Sequence, residues 1–129
     1  MKNRGFTLVE LIAVVIILGI LLAVGIPQYR RAIERARGAA AYSTLGAIQS
    51  AEQIYHQEFD TYNGTLANLG VTPPPPGRSG WTITVANFGA NVFNAQAVRA
   101  AGGTCAGNTI IIDQAGVITG DWEGCVNGL

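Results

Sequence analysis

The sequence predicts an α+β protein: one long N-terminal α-helix, membrane-spanning in its first half, packed through its second half against a C-terminal antiparallel β-sheet of about four strands. Three observations carry this. Phe6 to Ile26 is a continuous apolar stretch broken by a single acid, Glu10. Gln28 to Glu58 is rich in Ala, Arg, Glu, Gln and Leu and has no proline, so helix-favouring residues continue past the apolar run. From Trp81 onward, short β-branched runs are bounded by Gly and Asn, the pattern of strands joined by tight turns. The chain therefore divides into a leader at 1–5, an apolar helix at 6–27, an amphipathic continuation at 28–63, a connector at 64–80, and a sheet with a closing loop at 81–129.

The leader carries Lys2 and Arg4. A helix rises ~1.5 Å per residue, so the apolar run is about 32 Å long, enough for a ~30 Å hydrocarbon layer. A carboxylate at the centre of such a span costs roughly 2.5–3.5 kcal/mol and by default marks function. Something must neutralise Glu10, and nothing near it in this chain is expected to do so. The plainer alternative is that Glu10, about 6 Å along the helix from Phe6, snorkels to the headgroups.

Gly5-Phe6-Thr7-Leu8-Val9-Glu10, followed by an apolar helix with Gly19 and Pro27, resembles the N-terminus of type IV prepilins and of the pseudopilins of type II secretion. The likeness is dense over residues 4–30, weaker over the rest of the N-terminal half, and architectural only beyond about residue 63. It implies a structural filament subunit, of a type IV pilus or, as the close alternative, of a secretion pseudopilus. A prepilin peptidase would cut after Gly5, Phe6 would be N-methylated, and Glu10 would approach the Phe6 ammonium of a neighbouring subunit. Low dielectric strengthens that attraction, and a wrong stagger leaves both charges buried and unpaired, so the pair sets register. The implied partners are further pilin copies, the peptidase, an inner-membrane assembly platform with its ATPase motor, and the membrane. The implied location is single-pass in the inner membrane with a cytoplasmic N-terminus, then a surface pilus or periplasmic pseudopilus. The implied tasks are adhesion, motility, DNA uptake or secretion.

Two other classes compete. Lys2 and Arg4, the apolar core and Ala23-Val24-Gly25 fit an ordinary signal peptide and a secreted soluble domain. Glu10 and the length of the run oppose this. An uncleaved one-span anchor is the third class. Charge topology pulls the other way: Arg30, Arg31, Arg35 and Arg37 follow the span, and the positive-inside rule alone puts that side in the cytoplasm. The resemblance requires the reverse, with those arginines against headgroups or paired with acids of neighbouring subunits.

The 129 residues allow one small domain once the span is set aside. Eight basic and eight acidic side chains balance. Loss of Lys2 and Arg4 leaves six against eight, which argues against nucleic acid as the main partner. Cys105 and Cys125 in a small exported domain point to a disulfide, whose loop of roughly 20 residues stabilises by about 3 kcal/mol in the chain-entropy model. Two free buried thiols are the alternative. The spacing resembles the disulfide-closed C-terminal loop of many pilins.

Pro27 lacks an N–H and clashes with the carbonyl of Ala23, costing ~3 kcal/mol in a helix interior. With Gly19 and Gly25 it marks a kink or simple helix stop, and the resemblance implies a segment that can melt in a filament. Beyond it, Ala41, Leu45, Ile48, Tyr55 and Phe59 recur at helical spacing with Ala51 and Ile54 beside them, a stripe expected to face the sheet. Ile33, Ala36, Ala40, Ala47 and Ile54 form a second, small-sided stripe. Tyr62-Asn63-Gly64 reads as the helix stop. Thr65 to Gly70 reads as a turn, and Thr72 to Gly77 as a stiff polyproline II segment, either a spacer or a ligand for a proline-binding module. Strands are expected at Thr82–Ala86, Val92–Arg99, Thr109–Asp113 and from Gly116 to Thr119.

No catalytic set and no cofactor is expected. Glu52, His56 and Asp60 share a helix face at i, i+4, i+8, but the companions of a zinc site are not identifiable. The resemblance leaves Asp113, Asp121 and Glu123 open as a calcium site, as in some pseudopilins, though their spacing matches no strong calcium loop. Tyr29, Tyr42 and Tyr55 recur every thirteen residues, about 20 Å apart along a helix, too far to touch within one chain.

Overall fold

The structure, a computed structural model, describes residues 5–128. Helix α1 runs Leu8–Phe59 without interruption at Pro27, so the proline is carried inside the helix and is not a stop. The chain divides into a first compact unit ending at Ile33 and a second from Glu34.

In the second unit, four strands form one antiparallel meander in the order β1 (Trp81–Phe88), β2 (Phe93–Arg99), β3 (Thr109–Asp113) and β4 (Ile118–Thr119). Ile83 pairs with Ala97 and Ala97 with Ile110, while Ala95 pairs with Ile112. Side chains alternate faces along a strand, so Trp81, Ile83, Phe93, Ala95, Ala97, Ile110 and Ile112 line one buried face. The α1 residues from Glu34 onward cover that face with a stripe: Glu34, Gly38, Ala41, Leu45, Ile48 and Glu52 are buried at alternating steps of four and three. This is the α+β arrangement the sequence predicts.

Four details differ from the sequence reading. The predicted stripe runs on to Tyr55 and Phe59, but the helical repeat from Leu45 and Ile48 leads to Glu52. Tyr55 is half-buried, and Ile54 and Phe59 are 66% and 54% exposed. The helix stops at Phe59, before Tyr62, because Asp60 turns into the left-handed region at φ 54° and Tyr62 then donates its N–H to the Gly89 carbonyl. The polyproline segment ends early: Pro75 is extended, and Pro76–Ser79 forms a helical turn, α2, closed by Gly80 at φ 77°. Proline at the first helical position needs no N–H partner, and the Pro75 carbonyl accepts from Arg78 and Ser79. β4 is reduced to two residues because Gly116, at φ 80°, belongs to the preceding turn.

After the sheet comes a short helix, α3 (Trp122–Asn127), where the sequence predicts only a closing loop. Trp122 packs edge-on against both Tyr42 and Trp81. Gly38 makes room for it, since a Cβ there would overlap the indole ring. Cys105 and Cys125 are joined, tying the β2–β3 loop to α3. Replacing both by Ser is expected to lower stability by about 3 kcal/mol, read as a lower unfolding midpoint of the detergent-solubilised chain against the parent.

Candidate assembly site

The first unit is an apolar rod with a polar start. The Thr7 carbonyl accepts the Leu11 N–H, so helical bonding begins there. The Thr7 N–H and hydroxyl both donate to Glu10 Oε2 at 2.8 Å, and the Glu10 N–H donates to the Thr7 hydroxyl at 3.3 Å. This is a capping box, in which Ser or Thr and an acid three residues on satisfy each other's free amides. Thr7 meets the acid with neutral donors, which do not neutralise it, and the Thr-x-x-Glu spacing was the signal for the box. Glu10 Oε1 has no hydrogen-bond partner among the described residues.

Every large apolar side chain from Phe6 to Ile26 is half or more exposed, Phe6 at 89%. The run is long and apolar enough to cross a membrane, with mean hydropathy 3.0 over its best window. So much exposed apolar surface must be covered by lipid or by other chains. A Cβ at Gly19 or Gly25 would meet nothing within 4 Å, so no close approach in this chain demands those glycines. Gly5 and Phe6 precede the helix, belong to no helix or strand, and are exposed. Lys2 and Arg4 of the leader lie outside the described residues.

In the second unit the functional side chains are mostly ones the sequence reading missed. Glu34 and Arg99, both 4% exposed, form a two-pronged pair: Arg99 Nε donates to Glu34 Oε2 at 2.9 Å and Nη2 to Oε1 at 2.8 Å. Arg37 Nη1 adds a bond to Oε1 at 3.1 Å, and Arg99 Nη1 donates to the Gly80 carbonyl at 2.6 Å. The Arg99 hydrogen bonds hold the Glu34 carboxyl below the usual carboxylate range against the opposing effect of burial. Arg37 thus pairs within its own chain. The signal for Glu34 was its place four residues before Gly38 and seven before Ala41 on the buried stripe.

Glu52 is fully buried; its Oε2 accepts the Asn63 N–H at 2.8 Å, and Oε1 has no partner among the described residues. Burial pushes its carboxyl above the ordinary range. A raised pKa means the folded state favours the proton, so folding carries no ionisation cost below the ordinary carboxylate range and a growing one as pH rises above it. Glu52→Gln is therefore expected to raise the melting temperature more at about pH 7.5 than at about pH 5, checked by thermal unfolding at both.

Glu52, His56 and Asp60 do not converge. His56 Nε2 meets the Ala90 carbonyl at 2.8 Å, and Asp60 lies beyond the helix end. Asp113 accepts the N–H groups of Ala115 and Val117, Asp121 accepts both the backbone N–H and the hydroxyl of Thr109, and Glu123 accepts the Tyr42 hydroxyl. Among the described residues no group of three or more His, Cys, Asp or Glu is placed to hold a metal ion. Tyr42 packs on Trp122 and Tyr55 on Phe59, while Tyr29 is exposed.

An exposed apolar helix with a capped acid near its start, carried by a small α+β domain, defines a subunit built for burial among its own kind or in lipid. Comparison with known proteins agrees. Residues 1–26 match the prokaryotic N-terminal methylation motif, and residues 27–109 match the family described as type IV minor pilin ComP, DNA uptake sequence receptor. The chain belongs to the type IV pilin family. It is 36% identical to the type IV major pilin protein PilA of Myxococcus xanthus, over 83% of this chain and 50% of that protein. It is 35% identical to the type IV major fimbrial protein FimA of Dichelobacter nodosus, over 65% of this chain and 64% of that one. It is 33% identical to the type II secretion system core protein G of Dickeya chrysanthemi, over 58% of this chain and 53% of that one. The chain thus spans between half and two-thirds of the length of these relatives. They are structural pilins and a secretion core protein by name, none an enzyme, and with the apolar helix they support a membrane-anchored precursor that assembles into filaments.

Proposed function

We propose that this chain is a structural subunit of a type IV pilus. Prepilin peptidase cleaves it after Gly5, Phe6 is N-methylated, and the mature subunit polymerises through its N-terminal helix. Before assembly it sits single-pass in the inner membrane with its N-terminus cytoplasmic. A platform protein and an ATPase motor draw the helix out of the lipid. Apolar burial then holds the filament, and Glu10 pairs with the Phe6 ammonium of a neighbour to set register. Pro27, Gly19 and Gly25 supply a segment that can stretch. The observation that carries this reading is the exposed apolar run of α1 with one acid at its capped start. Apolar surface on this scale is stable only in lipid or against other chains.

The likeness to a type II secretion core protein supports a second reading, a periplasmic pseudopilus. Shearing the cells and imaging with antibody to this chain separates the two: long surface fibres carrying the chain support the pilus, and label confined to the envelope supports the pseudopilus. The name of the matched family also brings DNA forward as something the filament binds. The charge balance opposes it as the main partner, since residues 34–128 hold seven carboxylates and four arginines. DNA-binding domains usually carry a basic field.

A further inference from the structure

The four arginines of the second unit lie towards one end of it. Arg99 ends β2 and meets Glu34 near the start of this unit's helix. The far end of that helix meets the β1–β2 turn, where Tyr62 and His56 bond Gly89 and Ala90. At the first end stand Arg35, Arg37, Arg78 and Arg99 with Glu34, Asp121 and Glu123; at the far end stand Glu58, Asp60 and Asp113 with no described Arg or Lys. The unit is thus polar along its length, basic at one end and acidic at the other.

The basic end carries a cavity of about 290 Å³ walled by Arg37, Arg78, Arg99 and the Gly80, Gly102 and Gly103 backbone. Two of its three arginines, Arg37 and Arg99, pair with Glu34, and no carboxylate lines the cavity itself among the described residues. Arg99 has five N–H donors and uses three, on Glu34 and Gly80. Arg78 makes no ion pair among the described residues and is exposed. A Cβ at Gly103 would stand 2.6 Å from Arg99 Nη2, and one at Gly80 would overlap Nη1, so either would displace the guanidinium from its present position. A buried, oriented guanidinium with donors to spare and an exposed arginine beside it form a socket for an oxyanion, bound through charge-assisted hydrogen bonds.

We propose that this cavity receives a carboxylate, Glu58 or Asp60, from the acidic end of a second copy of this chain, in a head-to-tail contact. The contact rests on the filament reading and names which surfaces meet in it. Such a contact is heterologous, and heterologous contacts generate open filaments where the rotation does not close into a ring. Glu58 and Asp60 are exposed at the helix end, and Ile54 and Phe59 beside them offer apolar surface to the same contact. A nucleic-acid phosphate has matching chemistry, but the surplus of carboxylates on this unit repels a long polyanion.

The test is made in filaments of the full chain in its host. Arg78→Cys is combined with Glu58→Cys or with Asp60→Cys, and sheared filaments are run without reductant. The expected result is a ladder of cross-linked multimers from at least one pair and none from the single variants. Arg78→Glu is expected to cut filament yield about tenfold, the scale of one lost charge-assisted contact, and adding Glu58→Arg and Asp60→Arg to restore it. Filaments without a ladder from either pair overturn the proposal and leave the filament reading standing. Arg78→Glu filaments at parental yield that retain less of a mixed-sequence DNA duplex also overturn it, assigning the socket to phosphate. A parent chain that makes no filaments overturns the filament reading itself.

Discussion

Glu10→Ala is expected to abolish filaments containing this chain while leaving it inserted in the membrane. Two roles meet in that side chain, and the variants separate them. Its carboxylate caps the helix start through Thr7, and its charge is proposed to meet a neighbour's Phe6 ammonium. Ala removes both; Gln keeps a capping acceptor, since Gln also serves in the capping box, but has no charge. Removing one partner of a buried ion pair costs roughly 3–5 kcal/mol, more than a hundredfold in an equilibrium constant. Glu10→Gln is therefore expected to insert normally and still to lose filaments. Gln filaments at parental yield, counted by microscopy of sheared preparations, would limit Glu10 to capping.

The second large effect is on the fold. Glu34→Ala is expected to destabilise the domain by about 3–5 kcal/mol, because Arg99 is left buried without its counter-ion. Against a typical total stability of 5–15 kcal/mol this is severe. Arg99→Leu is expected to cost less, since Glu34 keeps Arg37 at 3.1 Å. Chemical denaturation of both variants checks the order. The pair also has a pH sign: with the Glu34 carboxyl held low, its contribution is full above the ordinary carboxylate pKa and is lost as pH falls through the lowered value. Glu34 and Glu52 thus act in opposite directions across the acid range.

Much of this was legible in the residues. The apolar run, the proline-free continuation and the β-branched runs give the helix and the meander directly, because periodicity and turn residues are local signals. Cys105 and Cys125 are joined as expected. The parts that were not legible depend on long-range packing. Glu34 and Glu52 sit on a stripe that a search for apolar residues passes over, and only the position of the sheet shows that it ends at Glu52. Nor does local sequence announce that Arg99 would reach back across 65 residues to Glu34. The Thr7–Glu10 box is local, and its Thr-x-x-Glu spacing ahead of an apolar run was readable. Helix α3 is short and rests on Trp122 filling the space over Gly38 and on the disulfide, neither of which a six-residue segment announces.

The central claim is tested most directly by the mass and first residue of the chain recovered from sheared surface filaments. The account predicts a chain beginning at Phe6 with a methyl group on its nitrogen. A chain beginning at Met1, or one beginning near Ile26, would contradict it.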